Sequence, residues 1–461
     1  MTDTAKHYFF DTYGCAKNQV DAEVIMTRMH SLGWTAVDDA KDASLIIVNT
    51  CGFIESAKKQ SLDAVLSARK NYPDAKILVA GCLAQRYADV FTDELHEADG
   101  VFGNGDILKI DEVLHTLEKS QRPVVVPPQH NIVEADRTVF LGFPSSTYIK
   151  ITEGCDNHCS FCAIPLIRGK LRSRSIDSVV NEIKSLLQKN IFEFNLIGQD
   201  VAAFGSDFFP EIKNGKFTWN DYEQSPLSQL LSKISEIEGN FWIRLLYIHP
   251  DHFPTDILPI MQKDKRFLPY FDIPFQSGDD DVIHAMNRTG TRQTYENLIC
   301  RIKEFLPTAA LRTTLLCGFP GETNEAFENS ADFLQTIRPL WSGSFTYSRE
   351  ENTPASVFKK HVSDKTAKAR SEHLQNIQST VTEEELHKHV GKTYDVLIEE
   401  MIEGENFAIG RTWFQAPEVD GSCVVCFDDE EDRNHIKPGA VVKVCITGVR
   451  SVDVVGNYER R

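Results

Sequence analysis

The ten residues Glu-Gly-Cys-Asp-Asn-His-Cys-Ser-Phe-Cys, at positions 153–162, decide how this chain is organised. Cys155, Cys159 and Cys162 have the spacing C-x3-C-x2-C, and no fourth cysteine lies nearby in the sequence. Three thiolates on one short loop suit three irons of a [4Fe–4S] cubane, because each cluster cysteine binds one iron. The fourth iron is then open, and an open metal position can bind a cofactor or a substrate. The loop therefore predicts chemistry at a cluster rather than electron transfer alone.

A zinc site is the alternative interpretation of the same loop. Structural zinc needs four ligands, usually as two spaced pairs. His158 is the candidate fourth ligand, but it directly precedes Cys159, and adjacent residues rarely reach one tetrahedral ion together. The loop follows an alternating, strand-like run at 147–151 and precedes a helix-like stretch at 176–187. A reactive loop at the exit of a strand is typical of α/β barrels.

The bulk composition limits the class of protein. With 461 residues the chain is too long for one ordinary core, and about three domains are expected. The net charge of −18 argues against broad docking on a nucleic acid backbone. The odd count of 11 cysteines favours metal binding over disulfides. No signal peptide is recognisable at 1–10, and no apolar run of about 18 residues occurs, so we expect a cytoplasmic protein without a membrane partner.

Three further cysteines each follow an apolar, strand-length run in the first 110 residues: Cys15, Cys51 and Cys82. Helix-patterned segments at 20–32 and 57–70 separate these runs, so the order β-α-β-α-β predicts a parallel sheet. Ligands of such sheets lie beyond the carboxyl ends of the strands. The three thiols are therefore expected to converge on a second cubane with one open iron. The alternative is that they are buried cysteines that act as small hydrophobic residues.

The middle of the chain, roughly 145 to 375, alternates between strand and helix patterns. Strand candidates lie at 194–197, 241–247, 270–275 and 311–316, which suggests a barrel of β/α units. Polar and glycine-rich segments follow three of these strands, at 198–200, 276–278 and 318–323. Because cofactors bind at the carboxyl ends of barrel strands, these segments are candidates for cofactor contacts.

The cysteine motifs resemble those of the radical S-adenosylmethionine methylthiotransferase family. The match includes Tyr-Gly-Cys-Ala-Lys-Asn at 13–18 with Asp21 and Glu23, Asn-Thr-Cys at 49–51 and Ala-Gly-Cys at 80–82. The resemblance covers essentially the whole chain. It implies an α/β protein with an N-terminal parallel-sheet domain at 1–130, a partial (β/α)6 radical SAM barrel at 141–375, and a small antiparallel β-barrel, the TRAM domain, at 386–461.

The resemblance also implies two [4Fe–4S] clusters and S-adenosylmethionine as cofactors. Cys15, Cys51 and Cys82 would hold an auxiliary cluster, and the loop cysteines would hold the cluster at which S-adenosylmethionine is cleaved to a 5′-deoxyadenosyl radical. Flavodoxin or ferredoxin is the expected electron donor. No side chain is assigned a catalytic role, because the chemistry lies at the clusters. Contacts to S-adenosylmethionine are expected from five residues: Gln199, Gln276, Ser277, Gly318 and Glu322.

The C-terminal region carries short strand candidates at 393–398, 423–427 and 440–446, which predict a small β-barrel. Residues 390–461 contain 8 Lys or Arg against 14 Asp or Glu, a net charge of −6. The acidic run at 428–432 would repel phosphate and suits a basic protein partner, which disfavours tRNA. Cys423 and Cys426 have no second pair in this region, and we expect them to be core or incidental residues.

Two segments resemble the RimO branch of the family: Gly-Arg-Thr-Trp-Phe-Gln-Ala-Pro-Glu-Val-Asp-Gly at 410–421 and Phe-Thr-Tyr-Ser-Arg-Glu-Glu-Asn-Thr-Pro at 345–354. That branch uses two S-adenosylmethionine molecules to methylthiolate the β-carbon of an aspartate in protein twelve of the small ribosomal subunit. The Gln-Ser-Gly segment at 276–278 is closer to the MiaB branch. Two alternatives stay open: a tRNA adenosine methylthiotransferase, and a non-catalytic iron- or zinc-binding adaptor.

Overall fold

A computed structural model of the protein describes residues 6–130, 132, 134, 136–209, 211–212, 217–428 and 430–460. The chain forms an N-terminal parallel sheet, a central parallel sheet and a C-terminal closed barrel, as predicted. Residues 1–5 and 461 of the predicted outer domains, and Asp429 of the predicted acidic run, lie outside the described residues. Within those residues, none of the helices combines the length and the hydrophobicity needed to span a lipid bilayer.

The N-terminal sheet has six parallel strands in the order β2-β1-β3-β4-β5-β6. Two apolar clusters cover its faces, because alternate side chains of the buried strands point to opposite sides. The predicted strands and the two predicted helices are confirmed, whereas β2, β5 and β6 were not predicted. The elements are β1 (His7–Thr12), α1 (Ala16–Ser31), β2 (Thr35–Ala36), β3 (Leu45–Thr50), α2 (Glu55–Asn71), β4 (Lys76–Gly81), α3 (Cys82–Arg86), α4 (Ala88–Asp93), β5 (Gly100–Gly103), α5 (Ile110–Glu118) and β6 (Val124–Val125).

The central sheet also has six parallel strands. Their order across the sheet follows their order along the chain: β14-β13-β12-β11-β10-β7. In the described residues β7 and β14 are its two free edges, so the barrel is partial, with six units, as predicted. Its elements are β7 (Ser146–Lys150), the hairpin strands β8 (Thr152–Glu153) and β9 (Arg172–Ser173) with α6 (Ile164–Arg168) between them, α7 (Ile176–Leu187), β10 (Glu193–Ile197), α8 (Pro226–Ser235), β11 (Trp242–Leu245), α9 (Leu258–Lys263), β12 (Phe267–Asp272), α10 (Asp280–Ala285), α11 (Arg292–Phe305), β13 (Ala310–Cys317), α12 (Asn324–Ile337) and β14 (Trp341–Thr346).

The strands of the central sheet place apolar and polar side chains on opposite faces. Phe194, Leu196 and Ile243 belong to the apolar core beneath the helices. Asn195 and Arg244, one position away in the same strands, are buried polar residues of the inner face. The inner face of this partial barrel is therefore available for polar interactions with the rest of the chain.

The C-terminal unit begins with α13 (Asp364–His387), which packs on β14 and runs through the predicted domain boundary at residue 375. Five strands then close into a barrel in the order β15-β16-β17-β19-β18. The predicted antiparallel arrangement needs one correction, because β17 and β19 pair in parallel. The strands are β15 (Thr393–Met401), β16 (Phe407–Arg411), β17 (Cys423–Cys426), β18 (Val441–Arg450) and β19 (Asp453–Tyr458).

The segment at 410–421 joins the C-terminal barrel to the inner face of the central sheet. Arg411 bonds Glu193 at 2.7 Å, and Glu193 also accepts a bond from Arg244 at 2.9 Å. Asp420 pairs with Arg312 at 2.6 Å. These buried pairs give the segment a structural reason to carry its charged residues, independent of any substrate.

Candidate functional site

The three N-terminal cysteines lie together at one edge of the first sheet. Cys15 is the N-cap residue of α1, Cys51 directly follows β3, and Cys82 is the first residue of α3. In this sheet β2 lies on one side of β1 and β3 lies on the other, so the strand order reverses at β1. Ligands of parallel sheets bind in the crevice at such a reversal, which here lies at the carboxyl ends of β1 and β3. Burial raises the pKa of Cys82 to about 12, and the neighbouring thiols of Cys15 and Cys51 raise it as well.

Glycine keeps the approach to these thiols free. Gly14 has φ +106°, a left-handed conformation that strains other residues. A Cβ atom at this position would lie 3.1 Å from Cβ of Cys51 and 3.4 Å from its sulfur. A Cβ atom at Gly52 would lie 2.8 Å from the carbonyl oxygen of Cys82. The chain thus passes close to the thiols where only glycine fits.

The loop cysteines lie between β8 and α6, where backbone bonds to neighbouring elements hold the loop in place. The amide of Ser160 donates to the carbonyl of Met286 at 3.0 Å, and its hydroxyl donates to Ala285 at 2.8 Å. The carbonyl of Ser160 accepts from the amide of Ala355 at 2.8 Å. Burial raises the pKa of the Cys162 thiol to about 12, so a metal that replaces its proton would be needed to form the thiolate.

Backbone amides are directed at four of the six predicted ligand sulfurs. Each amide belongs to the residue two positions after the cysteine, so the contact needs no side chain. Hydrogen bonds to cluster sulfurs are one of the means by which proteins set a cluster's reduction potential. The pairs are Lys17 to Cys15, Phe53 to Cys51, Asn157 to Cys155 and Ile164 to Cys162.

The six cysteines are chemically suited to two cubane clusters, in which each thiolate would bind a different iron. Among the described residues, no three His, Cys, Asp or Glu side chains are placed to hold one metal ion together. A cubane makes no such demand, because each cysteine binds a different iron. His158, the candidate fourth zinc ligand, has φ +49°, and its carbonyl accepts a bond from Asn287 at 2.9 Å.

Cys82 of the N-terminal domain lies at the interface with the helix that follows the loop cysteines. Cys82 packs against Ala163 and Ile167, and Ala163 directly follows Cys162. Arg168, at the end of the same short helix, donates to the sulfur of Cys82 at 3.4 Å. Asn104 donates to that sulfur at 3.3 Å. The sequence predicts two clusters that face each other across a shared cavity, which stays a prediction; the structure shows that α3 packs on α6.

A buried ionic network holds this interface together. Arg168 bonds Glu153 at 2.8 Å and Asp21 at 3.0 Å. Lys150 bonds the same two carboxylates, each at 2.5 Å. Burial would raise the pKa of Glu153, but the cations of Arg168 and Lys150 outweigh it and hold the pKa far below its ordinary value. Asp21 follows Cys15 and Glu153 precedes Cys155, so one network positions both cysteine segments.

Charged neighbours also act on Cys15. Burial alone would raise the pKa of its thiol, but the cations of Lys17 and Arg168 and two backbone amides leave the pKa below its ordinary value. The side chain of Cys15 is exposed. The side chain of Lys17 reaches across the interface, and its Nζ lies 3.2 Å from the ring centroid of Tyr247, beyond the end of β11. Sequence reasoning assigned Lys17 to the family motif but gave it no role.

The three segments predicted to bind S-adenosylmethionine lie at the carboxyl ends of central strands. The side-chain amide nitrogen of Gln199, Nε2, is buried and has no hydrogen-bond partner in the described residues, so it is available to a ligand. Next to it, Asp200 bonds Asn157 of the cysteine loop at 2.8 Å and His252 at 2.5 Å. Asp200 belongs to the segment predicted to contact the cofactor, and its bond to Asn157 gives it a role in positioning the cysteine loop.

The other predicted contacts have mixed surroundings. Gln276 has φ +71° and exchanges backbone bonds with β13. Ser277 is buried, and its hydroxyl lies 3.1 Å from that of Ser330. Glu322 accepts bonds from the amide of Gly318 at 2.7 Å and from Arg370 at 2.6 Å. Glu322 thus closes the turn at Gly318, and its contact with a cofactor stays a prediction.

Family models match the three parts of the chain separately. One described as "Uncharacterized protein family UPF0004" matches residues 7–103, the radical SAM superfamily matches 149–334, and the TRAM domain matches 390–458. Together they span the N-terminal sheet, the central barrel and the C-terminal barrel.

Similar proteins cover nearly the whole chain. A ribosomal protein uS12 methylthiotransferase RimO from Treponema denticola is 52% identical over 96% of this chain and 99% of its own length. The protein of the same name from Clostridioides difficile is 36% identical over 97% of both chains. Among solved structures, the radical S-adenosylmethionine methyltransferase TsrM from Kitasatospora setae has a TM-score of 0.54, with 14% identity over 77% of this chain and 74% of that chain. That likeness shows the fold alone.

Proposed function

This chain belongs to the RimO family of radical SAM methylthiotransferases, and from that membership we propose that it methylthiolates the β-carbon of an aspartate in ribosomal protein uS12. The reaction would use two S-adenosylmethionine molecules and two [4Fe–4S] clusters. The observation that supports the proposal is the contact between Cys82 and the helix that follows the loop cysteines, where Arg168 and Ile167, six and five residues beyond Cys162, touch Cys82. Sulfur insertion needs the two chemistries side by side.

In this proposal Cys155, Cys159 and Cys162 hold the cluster that binds S-adenosylmethionine, and Cys15, Cys51 and Cys82 hold the auxiliary cluster. When bound, these groups supply the radical and sulfur chemistry that no side chain can perform on an unactivated carbon. The protein's part is positional. Asp200 fixes the cysteine loop through Asn157, and the network of Arg168 keeps the two segments in register. The unpartnered amide of Gln199 is a candidate contact for S-adenosylmethionine.

The proposed partners follow from this chemistry. A ribosomal protein substrate would place the enzyme in the cytoplasm, and flavodoxin or ferredoxin would supply electrons. Ribosomal proteins are typically basic, and the C-terminal region carries a net charge of −6, so complementary potentials would steer their encounter. The same charge would weaken binding of a tRNA backbone.

The test is a direct comparison of substrates. Reconstituted enzyme is incubated without oxygen with S-adenosylmethionine, a reductant, and either purified uS12 or unmodified tRNA. We expect mass spectrometry to show one methylthio addition on an aspartate of uS12 and none on tRNA. Modification of tRNA alone would assign the chain to the tRNA branch. Absence of S-adenosylmethionine cleavage with both substrates would favour the non-catalytic adaptor.

A further inference from the structure

Lys17 is a buried lysine that pairs with no carboxylate among the described residues. Burial lowers the pKa of its ammonium, and the charge that opposes this shift most is the thiolate of Cys15. Lys17 lies in the first turn of α1 and is 4% exposed. Its Nζ makes neither a hydrogen bond nor a salt bridge to any residue that the structure describes, and its contact is the face of the Tyr247 ring at 3.2 Å. Burial of an ammonium without a compensating acceptor is costly. The arrangement is explained if an anion from outside the chain completes it.

A comparison with Lys150 shows how the protein satisfies a lysine that is equally buried. Lys150 bonds Asp21 and Glu153, both at 2.5 Å, within the same domain interface. Lys17 has no such carboxylate pair in the described part of the chain. The Cys15 thiolate favours its charged form most, and the carboxylates of Asp272 and Glu153 act on it without a salt bridge. The two lysines therefore have different roles. Lys150 joins the two domains through salt bridges, whereas Lys17 makes no salt bridge to a carboxylate of the described residues.

The ammonium of Lys17 lies close to the auxiliary cysteine Cys15. The Cys15 side chain, two residues earlier, is exposed, and the charges of the two groups act on each other. Tyr247 and Asp272 lie near the ammonium at the ends of β11 and β12, where Asp272 accepts the amide of Tyr247 at 3.1 Å. Arg312, the nearby cation, is occupied by Asp420 at 2.6 Å.

We propose that Lys17 binds the side-chain carboxylate of the substrate aspartate and thereby positions its β-carbon at the auxiliary site. The inference rests on the proposed function. A charge-assisted hydrogen bond to a carboxylate in a buried site is strong and directional. Because the carboxylate carbon of aspartate is bonded directly to Cβ, the lysine fixes the target carbon one bond away. Lys17 forms and breaks no bond, and it is a binding and positioning residue.

The test measures binding as well as turnover. Lys17→Met removes the charge at similar length, Lys17→Arg keeps it, and Lys70→Met, on the exposed end of α2, is the matched control. Labelled uS12 is titrated with each reconstituted enzyme, once with the target aspartate and once with asparagine in its place. We expect Lys17→Met to weaken binding of the aspartate form by about tenfold to a hundredfold, the range for a hydrogen bond to a charged group. Lys17→Arg should lose less of the affinity for the aspartate form, and Lys70→Met should bind it as tightly as the wild type does.

A double-mutant cycle decides the assignment. Wild-type enzyme should prefer the aspartate form, and Lys17→Met should bind both forms equally while its KM for uS12 rises. Iron content and cluster spectra of Lys17→Met should match those of the wild type. Undiminished preference for aspartate in Lys17→Met, or loss of auxiliary iron from it, would overturn the proposal. If the wild-type enzyme does not modify uS12, the proposed function is contradicted. That result comes from the wild-type reaction alone and does not depend on the Lys17 variants.

Discussion

The guanidinium of Arg168 lies 3.4 Å from the sulfur of Cys82, and the two residues come from different domains. Arg168 is 2% exposed and also bonds Glu153 and Asp21. A single side chain of the central barrel therefore touches a predicted ligand of the auxiliary cluster and both segments that carry the cysteines. This relationship makes the surroundings of the proposed auxiliary cluster depend on the correct docking of the other domain.

Arg168→Gln should lower the reduction potential of the auxiliary cluster. A positive hydrogen-bond donor stabilises the more negative, reduced cluster, so its loss makes reduction harder. A hydrogen bond to a charged group contributes about 1.5–3 kcal/mol, and a tenfold change corresponds to about 59 mV for one electron. We expect a decrease of up to about 100 mV in an EPR-monitored titration of enzyme that carries alanine at 155, 159 and 162. Arg28→Gln, at an exposed ion pair of the N-terminal domain, should leave the potential unchanged.

Replacement of each cysteine group should remove a different function. Alanine at Cys15, Cys51 and Cys82 should halve the bound iron and stop methylthio transfer, while 5′-deoxyadenosine still forms. Alanine at 155, 159 and 162 should halve the iron and abolish 5′-deoxyadenosine. Cys300→Ala, on an exposed position of α11, is the control and should change neither iron content nor product. Iron that stays near the wild-type amount after either triple replacement would contradict the ligand assignment.

Arg411→Met should destabilise the joint between the C-terminal barrel and the central sheet. Arg411 bonds Glu193 at 2.7 Å and Glu399 at 2.5 Å, and all three side chains are at most 3% exposed. Removal of one partner of a buried ion pair leaves an uncompensated charge and costs about 3–5 kcal/mol. Denaturant unfolding of the full chain measures the loss. Lys443→Met, at an exposed pair with Asp395, should cost at most about 1 kcal/mol; equal losses in both variants would contradict this role.

His389 should make the C-terminal barrel less stable in mild acid. Burial lowers the pKa of His389 to about 4, and Lys392 lowers it as well; in the unfolded chain the pKa is about 6.5. The unfolded state therefore binds more protons between these values, so this contribution is present in full above about pH 6.5 and is lost as the pH falls toward 4. The difference amounts to at most about 3 kcal/mol.

Hydrogen exchange across residues 389–446 between pH 5 and 7 measures this loss. At pH 5 the amides of the wild-type barrel should exchange faster than the pH dependence of the intrinsic amide exchange rate explains. His389→Phe, which keeps an aromatic ring against Phe414, 4.1 Å away between centroids, should remove the extra dependence. Exchange in the variant that keeps the wild-type pH profile would contradict the assignment.

Several elements were predictable because their signals are local. The apolar runs before Cys51 and Cys82 appear as β3 and β4, and the stretch at 176–187 appears as α7 with the predicted bounds. Short strands were missed. The four residues of β5 contain two glycines, and β2 and β6 have two residues each, too few for an alternating pattern to show. These strands exist because their longer neighbours pair with them.

By itself, the sequence determined the spacing of the loop cysteines and the apolar runs before the other three, from which the cluster ligands are predicted, because these are properties of neighbouring residues. The tertiary structure decided what those residues meet. Arg168 reaches Cys82 across 86 positions of sequence, and Lys17 reaches Tyr247 across a domain interface. Whether a buried charge is paired, as in Lys150, or left open, as in Lys17, depends on which carboxylates the packing brings within a few ångströms, and no local pattern encodes that distance.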